Sequence, residues 1–221
     1  MVNILLEGYD IDAPWLKEAL SGYILPDMKV AVAALSFRKN RVRTANDWDN
    51  LYAPDGKFYN GITAGFMSYG IPTEKVSFID YFRDTKESAV EKICKADILY
   101  FLGGMPDLMY ERIEGLGLGE PMRNFKGIVM GYSAGAVIQL SEYHLSPDAD
   151  YPEFGYHKGL GYLDGFYHEV HYTGSSVQND AIRRVLSERH RPVYATRSGQ
   201  GAMIIENGDI RMVGEVQLCE P

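Results

Sequence analysis

A single serine lies between two glycines in the stretch Gly131-Tyr-Ser-Ala-Gly135, where one apolar run gives way to another. This G-x-S-x-G pattern is typical of a nucleophile elbow, in which a strand turns sharply into a helix and exposes the serine hydroxyl. Small neighbouring residues allow the tight turn. We therefore expect Ser133 at a helix N-terminus, with the unpaired Ala134 N–H available to an oxyanion. A serine that only caps the helix is the alternative.

A pair of glycines, Gly103 and Gly104, follows another apolar run and precedes a predicted helix over residues 106–114. One helical crossover separates this pair from the elbow, so the two loops should leave the carboxyl ends of neighbouring parallel strands. The Gly104 N–H could then approach a substrate oxygen as a second oxyanion donor. An ordinary tight turn between strand and helix would contain the same glycines.

A serine nucleophile needs a base, and five histidines are available. His171 ends the run Leu163–His171, which is predicted to be a strand, so its ring should emerge at the same sheet edge as Ser133. His168 lies an odd number of residues away and should face the opposite side of that strand. The remaining histidines fall in a variable stretch or at a charged helix end: His144, His157 and His190. A structural strand-end histidine is the alternative for His171.

The elements that must position these residues alternate between strands and helices, which predicts an α/β fold with a mostly parallel sheet and helices on both faces. Strands are predicted over residues 2–6, 29–35, 75–80, 97–102 and 127–130, and helices over 14–20, about 57–69, 84–95 and 106–114. The stretch 36–56 has no clear pattern. Short strands over 192–196, 202–205 and 210–213 predict an antiparallel C-terminal edge, with a hairpin at Asn207-Gly208.

Composition limits the function classes. The 221 residues contain no linker, repeat or low-complexity tract, so a single domain over residues 1–221 is expected. A formal net charge of −8 with scattered basic residues argues against a nucleic-acid or anionic-membrane surface. Cys94 and Cys219 lack the spacing of a metal site or disulfide framework. The N-terminus lacks a signal-peptide pattern and no apolar run could span a membrane, so we expect a cytoplasmic protein with a small-molecule partner.

Taken together, these motifs resemble peptidase family S51, the peptidase E and cyanophycinase group of serine peptidases. The resemblance covers most of the chain and depends on the combination of a strand ending in Gly103-Gly104, the G-x-S-A-G-A elbow, and a strand ending in His171-Tyr-Thr173. It implies a class I glutamine-amidotransferase-like, or flavodoxin-like, α/β fold. A glutamine amidotransferase itself would carry a cysteine in place of Ser133.

Carried over residue by residue, the resemblance implies Ser133 as nucleophile, His171 as base, and Gly104 with Ala134 as oxyanion donors. The family places an aspartate between elbow and histidine. Asp148 matches by its distance from the serine and is slightly preferred, whereas Asp150 matches by local sequence. Glu142 and Glu169 lie outside the pattern, and either aspartate could instead belong to a solvated turn.

The family resemblance implies a serine peptidase that cleaves small peptides with a Ser-His-Asp triad and uses no metal or cofactor. An α/β serine esterase and an inactive family member acting as a binding module are the alternatives. The second is encouraged by Met105, where the family usually has asparagine. The loop Ser198–Gly201 contains no carboxylate, although some members have a glutamate there. The sequence is compatible with a homodimer as well as a monomer.

The side-chain preference of the substrate is expected to differ from that of the family. Peptidase E-like members are associated with cleavage after an N-terminal aspartate, whose recognition calls for a cation. After His171 no basic residue occurs before Arg183 and Arg184, on a predicted helix. We therefore expect an uncharged or aromatic residue to be preferred, unless Arg183 or a residue of the segment Arg38–Arg43 supplies the missing charge.

Overall fold

The computed structural model describes residues 1–221, and its centre is an eight-stranded sheet. Five parallel strands form its main part, in the spatial order β1-β5-β4-β2-β3, and β9 and β10 extend it beyond β1 in antiparallel orientation. The parallel strands are β1 (Val2–Leu6), β2 (Val30–Ala33), β3 (Val76–Ile79), β4 (Ile98–Phe101) and β5 (Ile128–Tyr132). The predicted fold class, including the adjacency of β4 and β5, is confirmed.

Apolar residues fill both faces of this sheet, which explains why its strands have near-continuous apolar sequences. In β2, Val30 and Val32 pack into one core layer while Ala31 and Ala33 pack into the other. Successive side chains of a strand point to opposite faces, so a strand covered on both sides cannot alternate with polar residues. The two layers hold the carboxyl ends of the parallel strands in fixed positions.

Eight α-helices cover the sheet: α1 (Pro14–Leu20), α2 (Ala45–Tyr52), α3 (Tyr59–Met67), α4 (Lys86–Lys95), α5 (Pro106–Gly115), α6 (Gly119–Arg123), α7 (Ala134–Val137) and α8 (Ser176–Arg189). Helix α2 lies in the stretch that had no clear pattern. A capping box starts it, since the Thr44 side chain accepts from the Asp47 N–H and the Asp47 side chain accepts from the Thr44 N–H. No helix has the length and apolarity needed to cross a lipid bilayer.

The C-terminal part forms two long strands where three short ones were predicted. Strand β9 (Val193–Glu206) runs through the predicted loop at residues 197–201, and β10 (Asp209–Cys219) pairs with it. The predicted hairpin at Asn207-Gly208 is present, with both residues at positive φ. An unpredicted hairpin, β6 (Glu142–Leu145) with β7 (Gly155–Lys158), lies between the elbow and β8.

Strand β8 (Tyr167–Tyr172) is the eighth strand of the sheet and pairs with β9 alone. It pairs in parallel with the first residues of β9, whereas the later residues of β9 pair antiparallel to β1. Consequently β8 runs toward the carboxyl ends of the parallel strands. His171 therefore meets the predicted sheet edge, but at the end of a strand that runs against β1 and β5.

Candidate active site

Ser133 lies at a sharp bend between β5 and α7, in a strained backbone conformation with φ 52° and ψ −115°. Such a conformation costs a non-glycine residue about 1–3 kcal/mol and is found where the surrounding structure enforces it. Here the Ser133 N–H donates to the Leu6 carbonyl at 2.9 Å, which ties the bend to the end of β1. The bend has the form of the predicted elbow.

The glycines on either side of Ser133 are required by close backbone approaches. A side chain at Gly131 would collide with the Gly135 carbonyl, and one at Gly135 would collide with the Phe101 carbonyl of β4. Buried Gln139 reinforces the turn by donating to the carbonyls of Gly135 and Ile4. The sequence pattern therefore has a steric cause, since only hydrogen fits at these two positions.

The imidazole of His171 contacts the Ser133 hydroxyl, with 2.7 Å between Nε2 and Oγ. The His171 side chain is 51% exposed, so a substrate can reach the pair. A hydroxyl next to a ring nitrogen that can take its proton is the arrangement of an activated serine nucleophile. The structure thus brings together the two residues that the sequence proposed as nucleophile and base.

His171 reaches this position through an irregularity in β8. The pairing of β8 with β9 shifts register between Glu169 and Tyr172, and His171 has a positive φ of 54°. Bulges redirect a side chain at the end of a strand. Gln178 at the start of α8 donates to the His171 carbonyl at 3.0 Å and supports the distorted backbone.

Glu7, the residue after β1, is the carboxylate that contacts His171. Its Oε2 lies 2.9 Å from His171 Nδ1, close enough for an ion pair, although the ring N–H does not point straight at it. Its Oε1 accepts from the His171 backbone N–H at 2.8 Å and from the Thr196 hydroxyl at 2.6 Å. Glu7 is only 3% exposed, so these contacts fix both its position and the ring of His171.

The Glu7–His171 contact shifts the pKa of both groups in opposite directions. Burial alone would raise the pKa of Glu7, but its contacts with His171 and Thr196 hold that pKa below the ordinary value. The same contact raises the pKa of His171 against the opposing effect of burial. Each group therefore favours the charged form of the other, which is the electrostatic requirement for an imidazolium that forms during catalysis.

The two aspartates proposed as the acid, Asp148 and Asp150, do not contact His171, and Glu7 occupies that position instead. Asp148 Oδ1 accepts from the backbone N–H groups of Asp150 and Tyr151 and thereby caps its own turn. Asp150 forms an ion pair with Arg38. The physical reason is that short polar side chains in this loop satisfy local donors first, while a buried carboxylate already occupies the far side of the imidazole.

A signal for Glu7 was present in the sequence but was not used. Glu7 directly follows a mostly apolar first strand, and the carboxyl ends of parallel strands share one edge where such folds bind ligands. A carboxylate in that position is a candidate by the same reasoning that selected Gly104 and Ser133. What the sequence did not indicate was that β1 lies next to β5 and that β8 approaches from outside.

The two proposed oxyanion donors border the same cavity as Ser133. Gly104 has a φ of 139°, and a side chain there would collide with the Ser36 carbonyl. The Gly104 N–H forms no hydrogen bond within the protein. Ala134 is the first residue of α7, so its N–H has no acceptor within the helix. Both N–H groups are available to an oxygen bound next to Ser133.

The cavity has a volume of about 510 Å³ and a wall of buried polar groups. In this wall Glu169 Oε2 lies 2.6 Å from His144 Nε2, and the Ser146 hydroxyl donates to both Glu169 oxygens. These three groups contact one another and do not reach His171, and His144 Nδ1 is buried without a partner. Glu142, the other glutamate outside the family pattern, pairs with Arg189. The remaining histidines are structural: His157 stacks on Tyr143, and His190 ends α8.

One cation borders the cavity, and it comes from the segment Arg38–Arg43 that the sequence analysis named as an alternative source of charge. Arg38 lines it and is paired with Asp150, whereas Arg183 and Arg184 pair with Asp180 and Glu188 on the surface of α8. Met105 is not among the lining residues, and its sulfur lies 3.9 Å from the Tyr151 hydroxyl. No group of three or more His, Cys, Asp or Glu residues is arranged to hold a metal ion.

Comparison with known proteins places this geometry in context. Residues 54–213 match the model of peptidase family S51, a range that includes Gly104, Ser133 and His171 but not Glu7. No curated protein matches the chain.

Two solved structures resemble the whole chain. A candidate peptidase E from Listeria monocytogenes EGD-e has a TM-score of 0.68 at 15% identity, covering 97% of this chain and 98% of that one. A peptidase from an acI-B1 actinobacterium has a TM-score of 0.64 at 16% identity, with coverages of 99% and 93%.

Proposed function

Because this chain belongs to peptidase family S51, we propose that it is a serine peptidase that hydrolyses short peptides with a triad of Ser133, His171 and Glu7. The observation that carries the proposal is the 2.7 Å contact between His171 Nε2 and the hydroxyl of a strained Ser133. A structural serine has no need of a strained bend that exposes its hydroxyl to an imidazole.

In the proposed reaction, Ser133 Oγ attacks the scissile carbonyl while His171 Nε2 takes its proton. Glu7 holds Nδ1 and stabilises the positive charge that the ring acquires. The imidazolium then protonates the leaving amine, and a water molecule activated by the same ring releases the acyl group. Each proton passes through His171, so Glu7 remains ionised throughout.

The negative charge on the carbonyl oxygen is stabilised by the N–H groups of Gly104 and Ala134. Both belong to rigid turns that follow buried strands, so no reorganisation is needed when the charge develops. Their lack of acceptors in the free protein supports this role, because an N–H without a partner gains most from an incoming oxyanion.

Short peptides fit the proposal because a cavity of about 510 Å³ has the size of pockets that bind small ligands. Its only cation, Arg38, is neutralised by Asp150, while Asp148 adds an unpaired negative charge. We therefore propose that an uncharged side chain is preferred next to the scissile bond. The inactive-module alternative drew on Met105, which does not line the cavity.

A fluorophosphonate probe followed by peptide mapping tests the nucleophile. We expect labelling at Ser133, and loss of both labelling and hydrolysis of a dipeptide panel in Ser133→Ala. Folding should be unchanged by circular dichroism, since the Ser133 hydroxyl makes no capping hydrogen bond to α7. Ser146→Ala is the matched control, because Ser146 borders the same cavity without contacting His171. Retained turnover in the purified Ser133→Ala variant would show that the serine is not the nucleophile.

A further inference from the structure

Two buried residues, His168 and Thr196, form a hydrogen-bonded line that ends at the carboxylate of Glu7. His168 Nε2 lies 2.8 Å from Thr196 Oγ1, which lies 2.6 Å from Glu7 Oε1. His168 is 1% exposed and Thr196 is fully buried. Burying an imidazole and a hydroxyl is costly unless they make hydrogen bonds, so the line of three polar groups calls for an explanation.

The positions of the protons along this chain follow from what each group can donate. An ionised Glu7 has no proton, so the single hydroxyl proton of Thr196 must be directed to it. Thr196 Oγ1 then has only lone pairs to offer His168, and His168 Nε2 must carry the hydrogen. The opposite ring atom, His168 Nδ1, is therefore a bare acceptor, and it is buried without a partner.

His168 must remain neutral for this arrangement. Burial lowers its pKa to about 4, although Glu7 and Glu169 act in the opposite direction. The other titratable groups near it are His144, which pairs with Glu169, and His171. His168 is therefore a fixed neutral donor at neutral pH and does not compete with His171 for a proton.

Without the His168 donor, the Thr196 hydroxyl could donate to a second acceptor instead of Glu7. The backbone carbonyl of Glu169 lies 3.4 Å from Thr196 Oγ1 and accepts when the hydroxyl rotates. With His168 donating to it, the favourable orientation of the hydroxyl points its hydrogen at Glu7 Oε1. The Nε2 nitrogen of His168 thus sets the orientation of the Thr196 hydroxyl, which donates to the carboxylate of Glu7.

We propose that His168, acting through Thr196, is a positioning residue that fixes Glu7 Oε1 and leaves Oε2 free to face His171. This inference rests on the proposed function, because it assigns a task to the carboxylate of the proposed triad. The competing explanation is that His168 and Thr196 only fill the core between β8 and β9. In that case their substitution would change the free energy of unfolding and leave kcat unchanged.

A double-mutant cycle separates these explanations. We expect Thr196→Val, which keeps the shape and removes the hydroxyl, to lower kcat for a dipeptide about tenfold with KM unchanged, as the loss of one hydrogen bond predicts. His168→Leu should have a similar effect. The double variant should be no slower than Thr196→Val alone, because His168 acts only through the hydroxyl. Effects that multiply would overturn the proposal.

Conservative variants provide the matched controls. Thr196→Ser retains the hydroxyl and His168→Gln retains a donor, so both should keep kcat within about threefold of the parent. Folding is followed by near-ultraviolet circular dichroism, and His168→Met replaces His168→Leu if the leucine variant does not fold. An equal loss of kcat in Thr196→Ser and Thr196→Val would show that the hydroxyl is not the active feature.

A titration that needs no catalysis distinguishes this proposal from the proposed function. In the Ser133→Ala background, carboxyl ¹³C NMR should show the lower titration step of the Glu7–His171 pair moving to higher pH in Thr196→Val and His168→Leu. The direction follows because donors to a carboxylate lower its pKa and their removal raises it. An unmoved step in both variants would overturn the positioning role even if Ser133 is the nucleophile, and a moved step would support it even if Ser133 is not.

Discussion

The two sides of the cavity are built in different ways. On one side, Gly104 and Ser133 lie just after the buried parallel strands β4 and β5, and Glu7 lies behind the base at the end of the neighbouring strand β1. On the other side, the wall is built by side chains from β6 and the loop that follows it, from β8, and from the start of α8 with the loop before it. The wall is held mainly by ion pairs and hydrogen bonds, such as those of Arg38 with Asp150 and His144 with Glu169.

This difference indicates which side tolerates change. The strand ends share the packing of two large core layers, so a displaced atom there disturbs the sheet as well as the chemistry. The more exposed ion pair of the wall, Arg38 with Asp150, can exchange partners at a smaller cost, because exposed ion pairs contribute about 0–1 kcal/mol. We infer that the strand ends carry catalysis and the wall carries substrate preference. His171 connects the two sides of the cavity, since it lies on β8, which belongs to the wall, and contacts Ser133 and Glu7 at the strand ends.

The largest effect should come from Glu7→Gln. An amide of the same shape cannot stabilise the imidazolium, so kcat should fall about 10⁴-fold, as for the acid of a serine triad. Asp148→Asn and Asp150→Asn, measured with the same uncharged dipeptide, should change kcat by less than about tenfold. A larger loss in Asp148→Asn than in Glu7→Gln would restore the assignment that the sequence pattern favoured.

The oxyanion turn should be the next most sensitive position. Gly104→Ala places a methyl group against the Ser36 carbonyl at a φ of 139°, so the loop must move and kcat should fall about 10²–10³-fold. Gly161→Ala is the control, because Gly161 also has a positive φ but has open space around it. That variant should lose about 1–2 kcal/mol of unfolding free energy and keep its kcat. Equal kcat in the two variants would contradict an oxyanion role for Gly104.

The pH profile should report the contact between Glu7 and His171. The base must be neutral, and its pKa is raised, so kcat/KM should fall as the pH is lowered through a value above about 6.5, the ordinary histidine pKa. Removing the carboxylate withdraws support for the imidazolium and should move the acidic limb of the residual activity in Glu7→Gln to lower pH. A limb that stays in place would mean that Glu7 does not set the charge of His171.

The smallest effect should come from substitutions in the wall, which are expected to change substrate preference. Asp150→Asn removes the partner of Arg38 and leaves a free cation at the cavity, so hydrolysis of Asp-Leu relative to Ala-Leu should rise by about fivefold or less, in line with an exposed ion pair. Asp180→Asn is the matched control, because it frees Arg183 on the outer surface of α8. A parent enzyme that already prefers Asp-Leu strongly, and loses that preference in Arg38→Ala, would contradict the proposed uncharged pocket.

The fold and half of the candidate site were predictable because they depend on short-range physics. Apolar runs covered on both faces identify the parallel strands, and the steric demands of a tight turn require glycines around Ser133. The position of His171 was predicted from a strand end, although the direction of that strand was not. The helix α2 was missed because its signal is a capping box within a polar stretch, without a clear apolar period.

By itself, the sequence determined the elbow, the glycine turn and the strands that carry them, because neighbouring residues set those conformations. Only the tertiary structure decided which carboxylate contacts the imidazole of His171. Glu7 and His171 are 164 residues apart, and their contact exists because β1 lies beside β5 while β8 enters along β9. The family resemblance pointed instead to Asp148, by its distance from the serine, and to Asp150, by its local sequence. Their loop directs those carboxylates to its own backbone and to Arg38, and a buried carboxylate from the first strand contacts the imidazole.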